Sequence, residues 1–144
     1  MIAVDTNILV YAHQPDTPWH EVAGRCLTEL AEGRAPWAIP WPCVHEFFAK
    51  TTHPRIFTNP STPDEALGFL EELLRSPTLR MLGESEGYWP TLARLLKAGK
   101  VSGPMVHDAR IAALCVAHGV SELWTADRDF GRFRELRYRN PLVE

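Results

Sequence analysis

The sequence predicts an α/β domain in three layers, with helices on both faces of a central, mostly parallel sheet of about four to five strands. Three observations predict it. The length, 144 residues, fits a single domain spanning 1–144 and is enough to bury a core without staples. Short runs at residues 2–4, 37–39, 78–82 and 122–125 read as strands, the first of them too apolar to alternate, as a strand covered on both faces is. Between them, apolar residues recur at helical spacing, and strands that alternate with helices join in parallel through crossovers.

Each element follows from its local chemistry. Asp5 and Thr6 end the first strand and are good N-cap types, so residues 7–12 continue as a short helix. Pro15, Asp16, Thr17 and Pro18 make a turn. Residues 19–32 put Val22, Ala23, Cys26, Leu27, Leu30 and Ala31 on one helical stripe, ended by Gly33. After the second strand, residues 42–52 read as a helix with Pro42 in its first turn, where a missing N–H costs nothing. Pro54, Pro60 and Pro63 mark a proline-rich loop. Thr62 caps a helix over 63–74, whose positive end suits Asp64 and Glu65. The third strand, 78–82, leads to a helix over 86–97 with Ser85 as its cap. Residues 97–103 are polar and glycine-bearing, hence a loop. The strongest helix covers 104–118 and stops at Gly119 in the C′ position. The strand at 122–125 is followed by a turn and short helix over 127–133, and residues 136–138 make an edge strand before Pro141.

Bulk properties narrow the class. The composition is 45% hydrophobic and 23% charged, ordinary for a soluble globular protein. No run reaches about 18 apolar residues, so no membrane span is expected. The start, MIAVDTNILVYA, lacks the basic segment of a secretory signal and carries Asp5 inside its apolar run, so a cytoplasmic location is expected. Cys26, Cys43 and Cys115 are widely spaced with no CxxC, which argues against a zinc site or disulfide framework and for buried apolar fillers. The five tryptophans lack the spacing of a stacking platform and read mostly as packing residues. The net charge of −3 does not advertise nucleic acid, yet Arg128, Arg132, Arg134, Arg137 and Arg139 crowd the last stretch. They make either a solvated face or a local basic patch.

Four carboxylates stand where a folding chain favours apolar groups. Asp5 follows Met-Ile-Ala-Val, Glu46 precedes Phe47 and Phe48, Asp108 opens the apolar run of the strongest helix, and Asp127 follows Glu-Leu-Trp-Thr-Ala. An ionised carboxylate beside a core is costly unless paired or bound to a cation. Ligands in open α/β sheets bind beyond the carboxyl ends of the strands. Asp5 and Asp127 each follow a strand, so they share one rim if those strands are neighbours. Asp108 and Glu46, early in their helices, can start near the same rim.

Converging carboxylates repel one another, and a divalent cation relieves the repulsion. Hard oxygen donors without clustered Cys or His favour Mg2+, with Mn2+ as the alternative. Such a site suits phosphodiester hydrolysis. Each residue also has a plainer role. Asp5, Asp127 and Asp129 can cap turns or helices, and Glu46 can be a solvated helix residue. Asn7 can orient a ligand carboxylate or face solvent; Thr125 can point at the pocket or only extend a strand. Arg110 can meet a phosphate or an acid, and His107 is a surface residue. Asp108 has Ala112 and Cys115 on its own helical face, which favours an inward position.

Taken in order, MIAVDTNILVYA, PCVHEFFA and VHDARIAALCVAHGVSELWTADRDFGRF resemble the PIN-domain ribonucleases, in particular the VapC-type toxins of type II toxin–antitoxin systems. The resemblance implies a PIN-like fold and a magnesium-dependent endoribonuclease that cuts RNA such as tRNA or rRNA. It maps the acidic set onto Asp5, Glu46, Asp108 and Asp127 as catalytic and metal-binding residues, with Asp5 and Asp108 the surest ligands. Asn7, Thr125 and Asp129 are then supporting residues, and Arg110, Arg128 and Arg132 candidates for RNA contact. It further implies a homodimer and a VapB-type antitoxin that lays a C-terminal segment across the site. The proline-rich loop near residues 53–63 departs from many relatives.

Two other readings of the same residues remain. A phosphatase using Asp5 as nucleophile wants a second Asp two positions on, where Asn7 stands, and a well-placed Lys, whereas Lys97 and Lys100 lie in a loop. A non-catalytic module could instead receive a basic peptide in the acidic pocket.

Overall fold

In the computed structural model, which describes residues 1–143, β1 (Ile2–Val4) leads into α1 (Thr6–His13) and α2 (His20–Glu32). Then follow β2 (Trp37–Pro40), α3 (Trp41–Thr51), α4 (Pro63–Leu74), β3 (Leu79–Leu82) and α5 (Tyr88–Ala98). A 3-10 turn at Gly103–Met105 opens into α6 (Val106–Ala117), and the chain ends with β4 (Glu122–Trp124), a second 3-10 turn at Arg128–Arg132 and β5 (Tyr138–Arg139). The five strands lie in the order β3-β2-β1-β4-β5, and every neighbouring pair is parallel. With six helices flanking the sheet, this is the expected three-layer α/β/α architecture.

The strand order fixes where a site can form. The chain winds outward from β1 through β2 to β3, then crosses back to β4 on the other side of β1. The order therefore reverses between β1 and β4, and the crevice outside their carboxyl ends is the switch point at which such sheets bind ligands. Ala3 pairs with Leu123 and Val4 with Trp124, so Asp5 leaves the sheet level with Thr125. The Asp5 N–H extends the ladder by donating to the Trp124 carbonyl at 3.0 Å.

The core is continuous across both faces. Ile8, Leu9, Trp37, Ile39, Phe47, Ile111, Leu114 and Leu123 are each essentially inaccessible. Beneath the proline-rich loop, Phe47 stacks on Phe69 at 5.1 Å between centroids, and His13 lies against both rings. The loop itself is tethered at Ser61, whose hydroxyl meets His13 Nε2 at 2.7 Å and accepts from Gln14 Nε2 at 3.3 Å. Among the described residues, no helix is long and apolar enough to cross a membrane.

Helix ends follow local chemistry. Thr62 and Glu65 form a reciprocal capping box at the start of α4. At the end of α6, Gly119 sits at φ 72°; its N–H donates to Val116 O and that of Val120 to Cys115 O, a Schellman motif. The same motif ends α5, where Lys100 takes φ 51° and Val101 N donates to Leu96 O at 3.0 Å.

Several expectations are corrected. Ser85 does not cap a helix; α5 starts at Tyr88, and the Ser85 carbonyl accepts from Tyr88 N at 3.0 Å. Pro90 is the reason, because a helix begun at residue 86 would need a Pro90 N–H to reach the residue 86 carbonyl. Gly33 ends α2 in an extended conformation rather than a left-handed one. Cys43 and Cys115 are buried as expected, whereas Cys26 is only half-buried, on the face of α2 that fronts Trp124 and Arg139. Trp37 and Trp124 pack inside, but Trp19, Trp41 and Trp89 are exposed at 37%, 41% and 66%. Each of those three stands at or next to a helix start, where the preceding turn offers no surface to cover it. Glu46 is in the middle of α3, not early in it. The edge strand β5 falls at Tyr138–Arg139, later than 136–138, because Leu136 turns inward into the core.

Candidate active site

Asp5 is the buried centre of the rim. It caps α1, its Oδ1 accepting from Thr6 N at 2.8 Å. Its Oδ2 accepts from Thr125 Oγ1 at 2.7 Å and from Asn7 Nδ2 at 3.3 Å, and Cys43 Sγ approaches Oδ1 at 3.6 Å. The capping role and the inward position therefore coexist. Burial pushes the Asp5 carboxyl above its ordinary range; the hydrogen bonds from Thr125 and Thr6 oppose this, and the charge of Glu46 adds to it.

Asn7 and Thr125 join the two halves of the sheet at this point. The Asn7 amide donates to Asp5 and to Thr125 Oγ1 at 3.2 Å, while its Oδ1 accepts from Ala126 N at 3.1 Å. Thr125 Oγ1 also accepts from Asp127 N at 3.0 Å, which sets the path of the chain as it leaves β4. Asn7 is therefore no plain surface residue, and Thr125 points inward.

Glu46 reaches the same region from α3. Its Oε2 accepts from the Thr6 hydroxyl at 2.8 Å. Cys43 and Glu46, three residues apart, share one face of α3 and both turn toward the start of α1. Burial, followed by the charges of Asp5 and Glu46, pushes the Cys43 thiol well above its ordinary range, so it stays a neutral donor.

Asp108, third in α6, is where the charges converge. Its carboxyl is pushed up to about 6, first by burial and then by the charges of Asp127, Asp5, Glu46 and Asp129. Asp108, Asp127 and Asp129 each offer a carboxylate oxygen within 4.8 Å of the other two. Asp127 also caps the 3-10 turn that follows, its Oδ1 accepting from Asp129 N at 2.8 Å. The carboxylates thus divide into a trio around Asp108, of which only Asp129 is exposed, and a pair, the buried Asp5 and the half-buried Glu46, each held by a hydroxyl. Asp129 enters the trio because the tight turn brings residues 127 and 129 to one side, a feature of turn geometry rather than residue pattern.

The arginines separate by role. Arg128 is exposed between Asp127 and Asp129, beside the trio. Arg110, two residues beyond Asp108, lies near enough to Tyr88 for its charge to act on that hydroxyl. Arg132 turns away, donating from Nη1 to the Gly99 and Lys100 carbonyls at 3.0 and 3.4 Å, where it closes the end of α5. Arg139 is held by Glu122 at 3.0 Å and over the Trp124 ring at 5.1 Å. The basic stretch is therefore partly structural. Thr6 and Cys43 are parts of this site that the sequence did not single out; the three-residue spacing of Cys43 and Glu46 was a signal for Cys43, and no spacing pointed to Thr6.

A family model described as PIN domain matches residues 2–136. The chain is 31% identical over 138 residues to Ribonuclease VapC48 of Mycobacterium tuberculosis, covering 96% of this chain and 95% of the relative. It is 34% identical over 142 residues to Ribonuclease VapC43 of the same species, covering 99% and 96%. Among solved structures, VapBC2 from Rickettsia felis bound to a DNA fragment from its promoter matches in fold, with a TM-score of 0.67 at 22% identity over 97% of this chain and 98% of that one.

Proposed function

The chain belongs to the PIN-domain family, beside relatives named VapC ribonucleases, and from that premise we propose that it is a metal-dependent endoribonuclease, the toxin of a toxin–antitoxin pair. One observation carries this reading: carboxylates from α6 and from the turn after β4 converge at the switch point, around an Asp108 whose pKa is raised to about 6.

The donor set fits a hard divalent cation. It consists of carboxylate oxygens, and the nearby thiols of Cys43 and Cys115 are held protonated by burial. Mg2+ is the expected ion, with Mn2+ able to replace it. Asp5, Glu46, Asp108 and Asp127 form the catalytic and metal-binding set; Asn7, Thr125 and Asp129 support it. A bound ion supplies charge neutralisation at the scissile phosphate and a water activated for hydrolysis. Asp108 and Asp127 would hold it together with Asp5 and Glu46, and Asp129 lies close enough to Asp108 and Asp127 to support the same ion. Thr125 and Asn7 keep Asp5 in place through the bonds described above. Arg128 and Arg110, flanking the carboxylates, would meet the RNA backbone; the bonding of Arg132 at the end of α5 favours a structural task for it instead.

The same reading makes residues 1–144 a single nuclease domain, active as a homodimer in the cytoplasm on RNA of the tRNA or rRNA kind. It is restrained by a VapB-type antitoxin whose basic segment answers the acidic pocket.

The test is cleavage of RNA by purified Asp5→Asn and Asp108→Asn proteins whose fold is verified by circular dichroism. Both are expected to lose cutting by about a hundredfold or more. Full activity in both would sink the assignment.

A further inference from the structure

Thr6 is the residue of the site region whose chemistry is least explained by its position in a helix. A threonine inside a helix usually donates its hydroxyl to the carbonyl four residues back. This chain shows that default twice in α3 and at its end, where Thr51 donates to Phe47 O at 2.8 Å and Thr52 to Phe48 O at 2.7 Å. Thr6 cannot do so, because it is the first residue of α1 and no helical turn precedes it. Its hydroxyl proton is free for a distant partner, and it goes to Glu46 Oε2 at 2.8 Å, across 40 positions of sequence.

The surroundings hold that contact in one geometry. Thr6 is 2% exposed, so water does not compete for the hydroxyl. Its backbone N–H is committed to Asp5 Oδ1 at 2.8 Å, which fixes the residue against the inner carboxylate. The Cys43 thiol bridges from α3 to the same Asp5 oxygen at 3.6 Å. One residue thus grips two carboxylates on different elements, Asp5 through its backbone and Glu46 through its side chain. Without the hydroxyl, a glutamate with three rotatable bonds on a half-buried helix face would sample several rotamers.

We propose that Thr6 is a positioning residue, whose hydroxyl holds the Glu46 carboxylate in the orientation in which it contributes to divalent-cation binding. This rests on the metal-dependent reading of the site given above.

The experiment is calorimetric titration of Mn2+ into the full chain, which reads binding rather than turnover. Thr6→Val, close in shape but without the hydroxyl, is expected to weaken Mn2+ affinity about tenfold, the scale on which losing an outer partner of a ligand acts. Thr6→Ser restores the donor and should return the affinity to within about twofold of the parent. In a Glu46→Ala background, Thr6→Val should have no further effect, since its target is gone. Parent-like affinity in folded Thr6→Val overturns the proposal, as does an equal weakening in the Glu46→Ala background. Should Thr6→Val fail to fold, Thr6→Ala gives the same comparison. Asp108→Asn separates the two levels. If it leaves Mn2+ affinity unchanged, the metal reading fails and the proposal falls with it. If it weakens binding while Thr6→Val does not, the proposal alone fails.

Discussion

Thr125 donates its hydroxyl proton to Asp5 across 2.7 Å, although 120 residues separate the two in sequence. The bond exists because β1 and β4 are parallel neighbours in register, which brings the first residue after each strand to one level. Thr125→Val removes a donor from a buried carboxylate and leaves Asn7 Nδ2 and Asp127 N without their shared acceptor. A stability loss of about 1–3 kcal/mol is expected from urea denaturation at neutral pH. A loss within error of zero would mean that the hydroxyl network does not hold the rim together.

Asp108 sets a pH dependence of the metal-free protein. Its carboxyl is raised from 3.8 to about 6 in the folded chain. Between those values the folded state binds the extra proton, so stability falls as pH rises through this window and levels off above it. In EDTA, melting curves from pH 4 to 7.5 should show this decline in the parent and a weaker one in Asp108→Asn. The variant should melt higher than the parent at pH 7, where its repulsion with Asp127, Asp5 and Glu46 is gone. A variant that melts lower there would contradict the repulsion described.

Lys100 occupies a left-handed backbone position at φ 51° to end α5. A side chain costs about 1 kcal/mol in that region, and glycine avoids it at some cost in chain entropy. Lys100→Gly should therefore raise the melting temperature by about 1–3 °C, read by calorimetry. A fall of the same size would show that the lysine stabilises the turn by other means.

Arg128 and Arg132 should part company when each is changed to alanine. Arg128→Ala is expected to weaken RNA binding and flatten its salt dependence by about one unit of slope, with stability unchanged. Arg132→Ala removes a cation from the last carbonyls of α5 and should lower stability by about 0.5–1 kcal/mol while leaving that slope alone. Filter binding across a salt series, with melting curves, reads both; the reverse pattern would exchange their roles.

Much of the fold was legible because its signals are local. The capping box of Thr62 and Glu65, the C′ glycine at 119 and the apolar runs of β1 to β4 act within a few residues. The shared rim of Asp5 and Asp127 followed from two strand ends and one rule about parallel sheets. What stayed illegible depends on distant packing or on turn geometry. The Thr6–Glu46 bond requires α1 and α3 to meet, and no spacing in the chain encodes that. Asp129 joins Asp108 and Asp127 only because the chain tightens into a 3-10 turn there. The start of α5 at Tyr88 was readable, since Pro90 forbids an earlier one, but Ser85 offered a competing cap.

The most direct test of the central claim is to incubate the parent protein with RNA labelled at both ends, in Mg2+ and in EDTA. Internal cuts that appear in Mg2+ and vanish in EDTA are predicted, returning when Mg2+ or Mn2+ is restored in excess. Internal cutting that continues undiminished in EDTA, or no cutting of any RNA in Mg2+ by folded protein, would contradict the account.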